Sequence, residues 1–226
     1  PSLYLAHEDL TRLDARATHY RFDLETDMPW HRLGEPGIHM PDEMAAMLGI
    51  DVATARRVPE ARDLLDWAMA VETCAGFEAL ELGLIRSCAH VQSTHGPSRS
   101  LQLLIDEEDK HVQLFRRYAR SLIDQRPDDA RQFDTIPTSW THRHVVPWVS
   151  LDTPYEHMRW WLWTLVFEAW TVHVHEALTR SDEPVQPAWL AAHALHRREE
   201  AQHLATDLAF VAALDLDEPS RRRCTA

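Results

Sequence analysis

The sequence predicts an all-α fold: one bundle of four long helices, with a long crossover between the second and third and an N-terminal extension before the first. Three observations lead there. Gly is scarce, at six of 226 residues, while Leu, Ala, Glu and Arg are abundant, a balance that favours helix. Apolar residues recur at helical spacing through four stretches, and no stretch alternates with the period of a strand. Turn signals split the stretches into two hairpins, joined by a connection far longer than a hairpin needs.

Residues 1–59 form the extension, expected to pack on the bundle as irregular chain and short helices. "GEPGIHMPDE" is turn-rich, and "PDEMAAML" predicts one or two helical turns after Pro41. The bundle domain spans 60–215. Its first helix covers 60–95, where Leu64, Leu65, Ala68, Val71, Ala75, Leu80, Leu82 and Ile85 keep a helical spacing. "THGPS" turns the chain, and the second helix runs from Ser98 to Asp124. The crossover "QRPDDARQFDTIPTSWTHRHVVPWVSLD" follows; its His142 and His144 are not expected to bind metal. Pro154, behind "DT", opens a third helix that reaches Thr179. "RSDEPVQP" breaks it, and the fourth runs from Pro187 to Leu214. An Arg-rich tail, 216–226, closes the chain. Two short-turn hairpins and one long crossover are the wiring of a ferritin-like bundle.

A net charge of -13 argues against nucleic acid or an anionic membrane as partner. Bound cations would offset part of it. Three Cys (Cys74, Cys88, Cys224) make no disulfide framework, so a reducing cytoplasm is expected. No signal peptide or membrane span is read: the richest apolar run, "MRWWLWTLVFEAW", is too short and carries Arg159 and Glu168.

The chemistry lies in a repeated pentad, "EEDKH" at 107–111 and "EEAQH" at 199–203. Helical residues three apart share a face, so Glu108 points with His111, and Glu200 with His203. A Glu-x-x-His on each of two helices, plus one Glu from each of the other two, is the ligand set of a dinuclear carboxylate centre. On the third helix the mid-helix candidate is Glu168, whose apolar setting demands a partner. The first offers Glu72, Glu78 and Glu81; hairpin geometry brings Glu78 or Glu81 level with Glu108 and leaves Glu72 too far away. His196 lies within roughly 60° of arc of Glu200 and His203 and adds a further ligand. A single ExxH usually marks a solvated face. Two of them, on the helices that need them and with a buried Glu on a third, are far harder to reach by chance.

Glu107 and Glu199, each preceding a ligand Glu, are candidates for outer acceptors that orient ligating imidazoles. Trp161 and His175, two turns either side of Glu168, are pocket candidates. Four carboxylates match the charge of two divalent cations, and mixed oxygen and imidazole ligands suit iron, with manganese the alternative. Two iron ions with open positions activate O2 as co-substrate, so oxidase or oxygenase chemistry is expected.

These residues resemble the di-iron arylamine N-oxygenases of antibiotic biosynthesis. The resemblance rests on a His four residues before the second ExxH, in "HRREEAQH"; on "FEAW" followed by "VQP"; and on "LQLLIDEEDKH". It covers about residues 60–210. "WAMAVETCAGFE" reproduces the family pattern with Trp67, Glu72 and Glu78, which selects Glu78 as the first-helix ligand and leaves Glu81 as the rival. The family usually has Asp before each ligand Glu, where this chain has Glu107 and Glu199. The resemblance implies a secondary-metabolism monooxygenase that N-oxygenates a small amine and acts as a homodimer. No flavin or nicotinamide fingerprint appears, so a ferredoxin or reductase is the expected electron donor. The competing expectations are a C–H hydroxylase or desaturase with the same cluster, and a ferroxidase or other iron-handling protein.

Overall fold

A computed structural model describes residues 12, 15, 21–47, 51, 78, 81–83, 85–86, 99–125, 154–213, 217–219 and 222. They contain a short helix, α1 (Asp42–Met47), and three long ones: α2 (Arg99–Gln125), α3 (Pro154–Arg180) and α4 (Pro187–Ala213). The long helices match their predicted bounds to within a residue. Most of the first predicted helix falls outside the described residues; Glu78, Glu81, Leu82, Gly83, Ile85 and Arg86 are described, and all six are helical. The expected crossover, with His142 and His144, also falls outside, as do Trp67, Glu72 and the three Cys.

The start of α4 shows how the sequence sets an element. Pro187 occupies the first helical position, where a missing N–H costs nothing. Gln186 caps it: its Oε1 accepts from the Trp189 amide at 2.7 Å. The same oxygen accepts from the Tyr118 hydroxyl at 3.0 Å, and Nε2 donates to the carbonyls of Arg32 and Leu33. One side chain thus ties α4 to α2 and to the N-terminal segment. Beside it, Ile38 and Val185 form an isolated bridge, and a Cβ on Gly37 would collide with the Gln186 backbone nitrogen.

A short link makes α3 and α4 an antiparallel hairpin. Glu107 meets His203 at one level and Tyr118 meets Gln186 at another, so α2 also runs antiparallel to α4. The end of α2 and the start of α3 therefore lie at opposite ends of helices about 40 Å long.

Two layers fill the interior. One is apolar: Phe22, Met28 and Met40 of the N-terminal segment pack with Phe115, Tyr118 and Leu122 of α2, Val174 and Leu178 of α3, and Trp189 of α4. The other is polar. Eight carboxylates (Glu78, Glu81, Glu107, Glu108, Glu168, Glu199, Glu200 and Asp207) are buried, together with His111, His193, His196 and His203. Burying so many ionisable groups is very costly unless they pair or bind ions. Among the described residues, no helix is long and apolar enough to cross a membrane.

Candidate metal centre

Both pentad helices turn an alternating three-and-four seam inward. On α2 the seam is Leu101, Leu104, Glu108, His111, Phe115, Tyr118 and Leu122. On α4 it is Trp189, His193, His196, Glu200, His203 and Asp207, polar for most of its length. The seams face each other, so the two ExxH pairs converge.

Two groups of four potential ligands result, each with its ligand atoms within 4.8 Å of one another: Glu78, His111, His196 and Glu200; and Glu108, His111, Glu200 and His203. The Nδ1 atoms of His111 and His203 point inward. His203 Nδ1 is 2.8 Å from Glu108 Oε1, 2.9 Å from Glu200 Oε2 and 3.4 Å from Glu168 Oε1. His111 Nδ1 is 3.1 Å from Glu200 Oε1. His196 Nε2 touches Glu200 Oε1 and lies 3.3 Å from Glu78 Oε2.

The outer nitrogens are held by the outer carboxylates, and the holding crosses between helices. His111 Nε2, on α2, lies 2.8 Å from Glu199 Oε2 on α4. His203 Nε2, on α4, lies 3.0 Å from Glu107 Oε2 on α2. Each pentad therefore supplies its own helix with a ligand pair and the opposite helix with the acceptor that fixes its imidazole. Placing the proton on Nε2 leaves Nδ1 free to bind metal.

The electrostatics of this cluster call for cations. Burial works against charge on His111 and His203, yet Glu200 raises the pKa of each well above its ordinary value, with Glu108 adding to the rise. Burial also opposes charge on Glu108, yet His111 and His203 hold its pKa down at about 2. Glu78 is pushed well up by burial, with Glu200 and Glu108 adding and His111 and His203 opposing. His196 is kept neutral by burial and by His111 and His193, the form in which an imidazole binds metal. Neither oxygen of Glu168 finds a hydrogen-bond donor. Oxygen-rich, imidazole-supported, thiolate-free and anionic, the donor set fits hard or borderline divalent cations. The residues fit a metal centre.

The structure brings Glu78, Glu108, His111, His196, Glu200 and His203 into the two groups and sets Glu168 beside His203. Glu81 is buried but belongs to neither group; burial pushes its pKa well up, with Glu108, Glu200, Glu78 and Asp207 adding. Glu107 and Glu199 orient imidazoles. Trp161 is fully buried on α3, and His175 is half-buried with Arg197 and His193 near its ring. Sequence reasoning missed two residues on the α4 seam. Asp207 is fully buried with neither oxygen hydrogen-bonded. His193, under Trp189 at 4.3 Å between ring centroids, has no hydrogen-bond partner on either nitrogen, and burial takes its pKa down to about 3. Extending the alternation of three and four beyond His196 and His203 would have found both.

No family model matches this chain, and neither a curated protein nor a solved structure matches it.

Proposed function

We propose that the protein is a ferritin-like, non-haem di-iron oxygenase that N-oxygenates a small amine. The single observation that carries the reading is the convergence of two ExxH pairs with Glu78, Glu168 and a seventh ligand, His196, within one buried cluster. Four ligand carboxylates balance two divalent cations. The sequence resemblance to arylamine N-oxygenases supports the choice of amine, and His196 is the residue a plain iron store does not need.

Bound iron would supply O2 activation, with one oxygen atom passing to the amine nitrogen and the other leaving as water after two electrons arrive from an external donor. The chain's own residues do the rest. Glu78, His111 and His196 would hold one position, and Glu108, Glu168 and His203 the other, with Glu200 in reach of both. Glu107 and Glu199 keep the imidazoles in one tautomer. Leu104, Phe115 and Trp161 help exclude bulk water from the bundle interior.

The test is anaerobic reconstitution with Fe2+, metal analysis, then O2 and a donor with a panel of arylamines. Two irons per chain and a product heavier by one oxygen are expected. One tight zinc and no second ion would sink the di-iron reading. Two irons, with rapid Fe2+ oxidation but no amine product, would favour a ferroxidase.

A further inference from the structure

Neither outer carboxylate is left to the helices alone. Glu199 Oε1 accepts from the backbone amide of Phe22 at 3.1 Å and from Lys110 Nζ at 2.5 Å. Lys110 also donates to the Phe22 carbonyl at 3.3 Å and sits 4.0 Å above the Phe22 ring. That ring lies parallel to the His111 imidazole, at 6.1 Å between centroids. One residue earlier, Arg21 Nε stands 3.7 Å from Glu107 Oε1. A two-residue piece of the N-terminal segment therefore reaches both carboxylates that hold the two ligating histidines.

We propose that Arg21, Phe22 and Lys110 form a clasp that positions the metal-binding imidazoles, and that it makes the two metal positions unequal. The inference rests on the metal-centre reading above and deepens it. On the His111 side the clasp is strong: a buried amide and a largely buried ammonium fix both the place and the charge of Glu199. On the His203 side it is weak: Arg21 is 43% exposed, its contact is long, and Glu107 Oε1 accepts no hydrogen bond. Glu107 keeps more of its negative charge available to the His203 N–H, which makes His203 the more electron-rich ligand. Glu199, neutralised by Lys110, pulls less on His111 but orients it more firmly.

These are positioning residues, so their test reads metal binding and not turnover. Wild type and variants are titrated with Co2+, following the cobalt visible bands and the heat of binding, with helix content checked by circular dichroism. Lys110→Met keeps the side-chain stem and removes the cation; Phe22→Pro removes the amide donor; Phe22→Ala removes the ring and keeps the amide. Lys110→Met and Phe22→Pro are expected to weaken one of the two Co2+ ions by about tenfold or more. Phe22→Ala is expected to weaken that ion less, and Arg21→Met to have a smaller effect confined to the other ion. Helical variants that bind both ions with wild-type affinity would overturn the clasp. So would variants that weaken both ions equally. Should Phe22→Pro fail to fold, the contrast between Lys110→Met and Arg21→Met decides. Wild type that takes up no Co2+ would overturn the metal centre, and the clasp with it; wild type with two ions and indifferent variants would overturn the clasp alone.

Discussion

Replacing Glu168 with Met should make the metal-free protein more stable and the metal-loaded protein less so. Glu168 is fully buried on α3, and neither oxygen finds a hydrogen-bond donor. The closest opposite group is His203 Nδ1 at 3.4 Å, which already faces Glu108 and Glu200. Each orphaned buried polar atom costs about 1–3 kcal/mol, so relieving two gives about 2–6 kcal/mol. Met is close in length, uncharged and at ease in a helix. For a chain of this size each kcal/mol is worth about 2–4 °C, so the Tm of metal-free protein should rise by at least about 4 °C. Metal reverses the order. An ion at about a hundred times its dissociation constant adds about 2.7 kcal/mol to wild type, and the variant forfeits most of that for the ion beside His203. Calorimetric melts of both proteins, chelator-treated and then anaerobically loaded with Fe2+, make the comparison. A metal-free variant that melts below wild type, or equal metal-induced shifts in the two proteins, would refute the assignment of Glu168 as a carboxylate kept for an ion.

Three further outcomes are expected. His196→Ala should still fold and bind iron, more weakly, but lose or shorten the transient visible absorption that follows mixing of reduced protein with O2, and product should fall with it; identical stopped-flow traces would remove His196 from the ligand set. Glu78→Ala should bind one ion per chain and Glu81→Ala two, since only Glu78 joins a four-ligand group; the opposite stoichiometries would move the assignment to Glu81. Burial holds folded His193 near a pKa of about 3 against 6.5 for a free imidazole, so the unfolded chain takes the proton first and stability is lost as pH falls from 6.5 towards 3, by up to about 5 kcal/mol. His193→Phe should flatten that loss in urea midpoints of metal-free protein, and parallel pH profiles would count against it.

The three long helices and their bounds were legible because proline and turn chemistry punctuate them: Pro154 and Pro187 start helices, and "RSDEPVQP" separates two. The ligating faces were legible because three-residue spacing on a helix is rigid. Glu78 over Glu81 was not decidable from spacing, since both lie one helical turn apart on the same face; the structure separates them by proximity to His196. Hydrogen-bond partners across helices were out of reach. That Glu199 serves His111 and Glu107 serves His203 depends on the antiparallel register of α2 and α4, which no local signal encodes. Nor did anything near Arg21 announce contact with residues 107 and 199, because "RFDLETD" reads as an ordinary polar turn.

Two divalent cations, the number proposed, would balance the charge buried among the described residues. Of the eight buried carboxylates, Glu199 and Glu107 face Lys110 and Arg21, one cation each. The pKa values of Glu81 and Asp207 are pushed well up by burial, with neighbouring carboxylates adding, which favours their neutral form. That leaves Glu78, Glu108, Glu168 and Glu200, with no Lys or Arg ion-paired to any of them among the described residues. Without metal, protonated His111 and His203 supply two positive charges at most, and His196 supplies none because burial keeps it neutral. Two negative charges remain uncompensated, and Glu78 is driven towards its acid form by burial first, with Glu200 and Glu108 adding. Two divalent cations would displace both imidazolium protons and bring four positive charges, matching the four carboxylates and leaving all three imidazoles free to act as donors. A single divalent ion leaves the sum two short. Filling the centre should therefore release protons, and its affinity should fall steeply as pH drops and protons compete for His111 and His203.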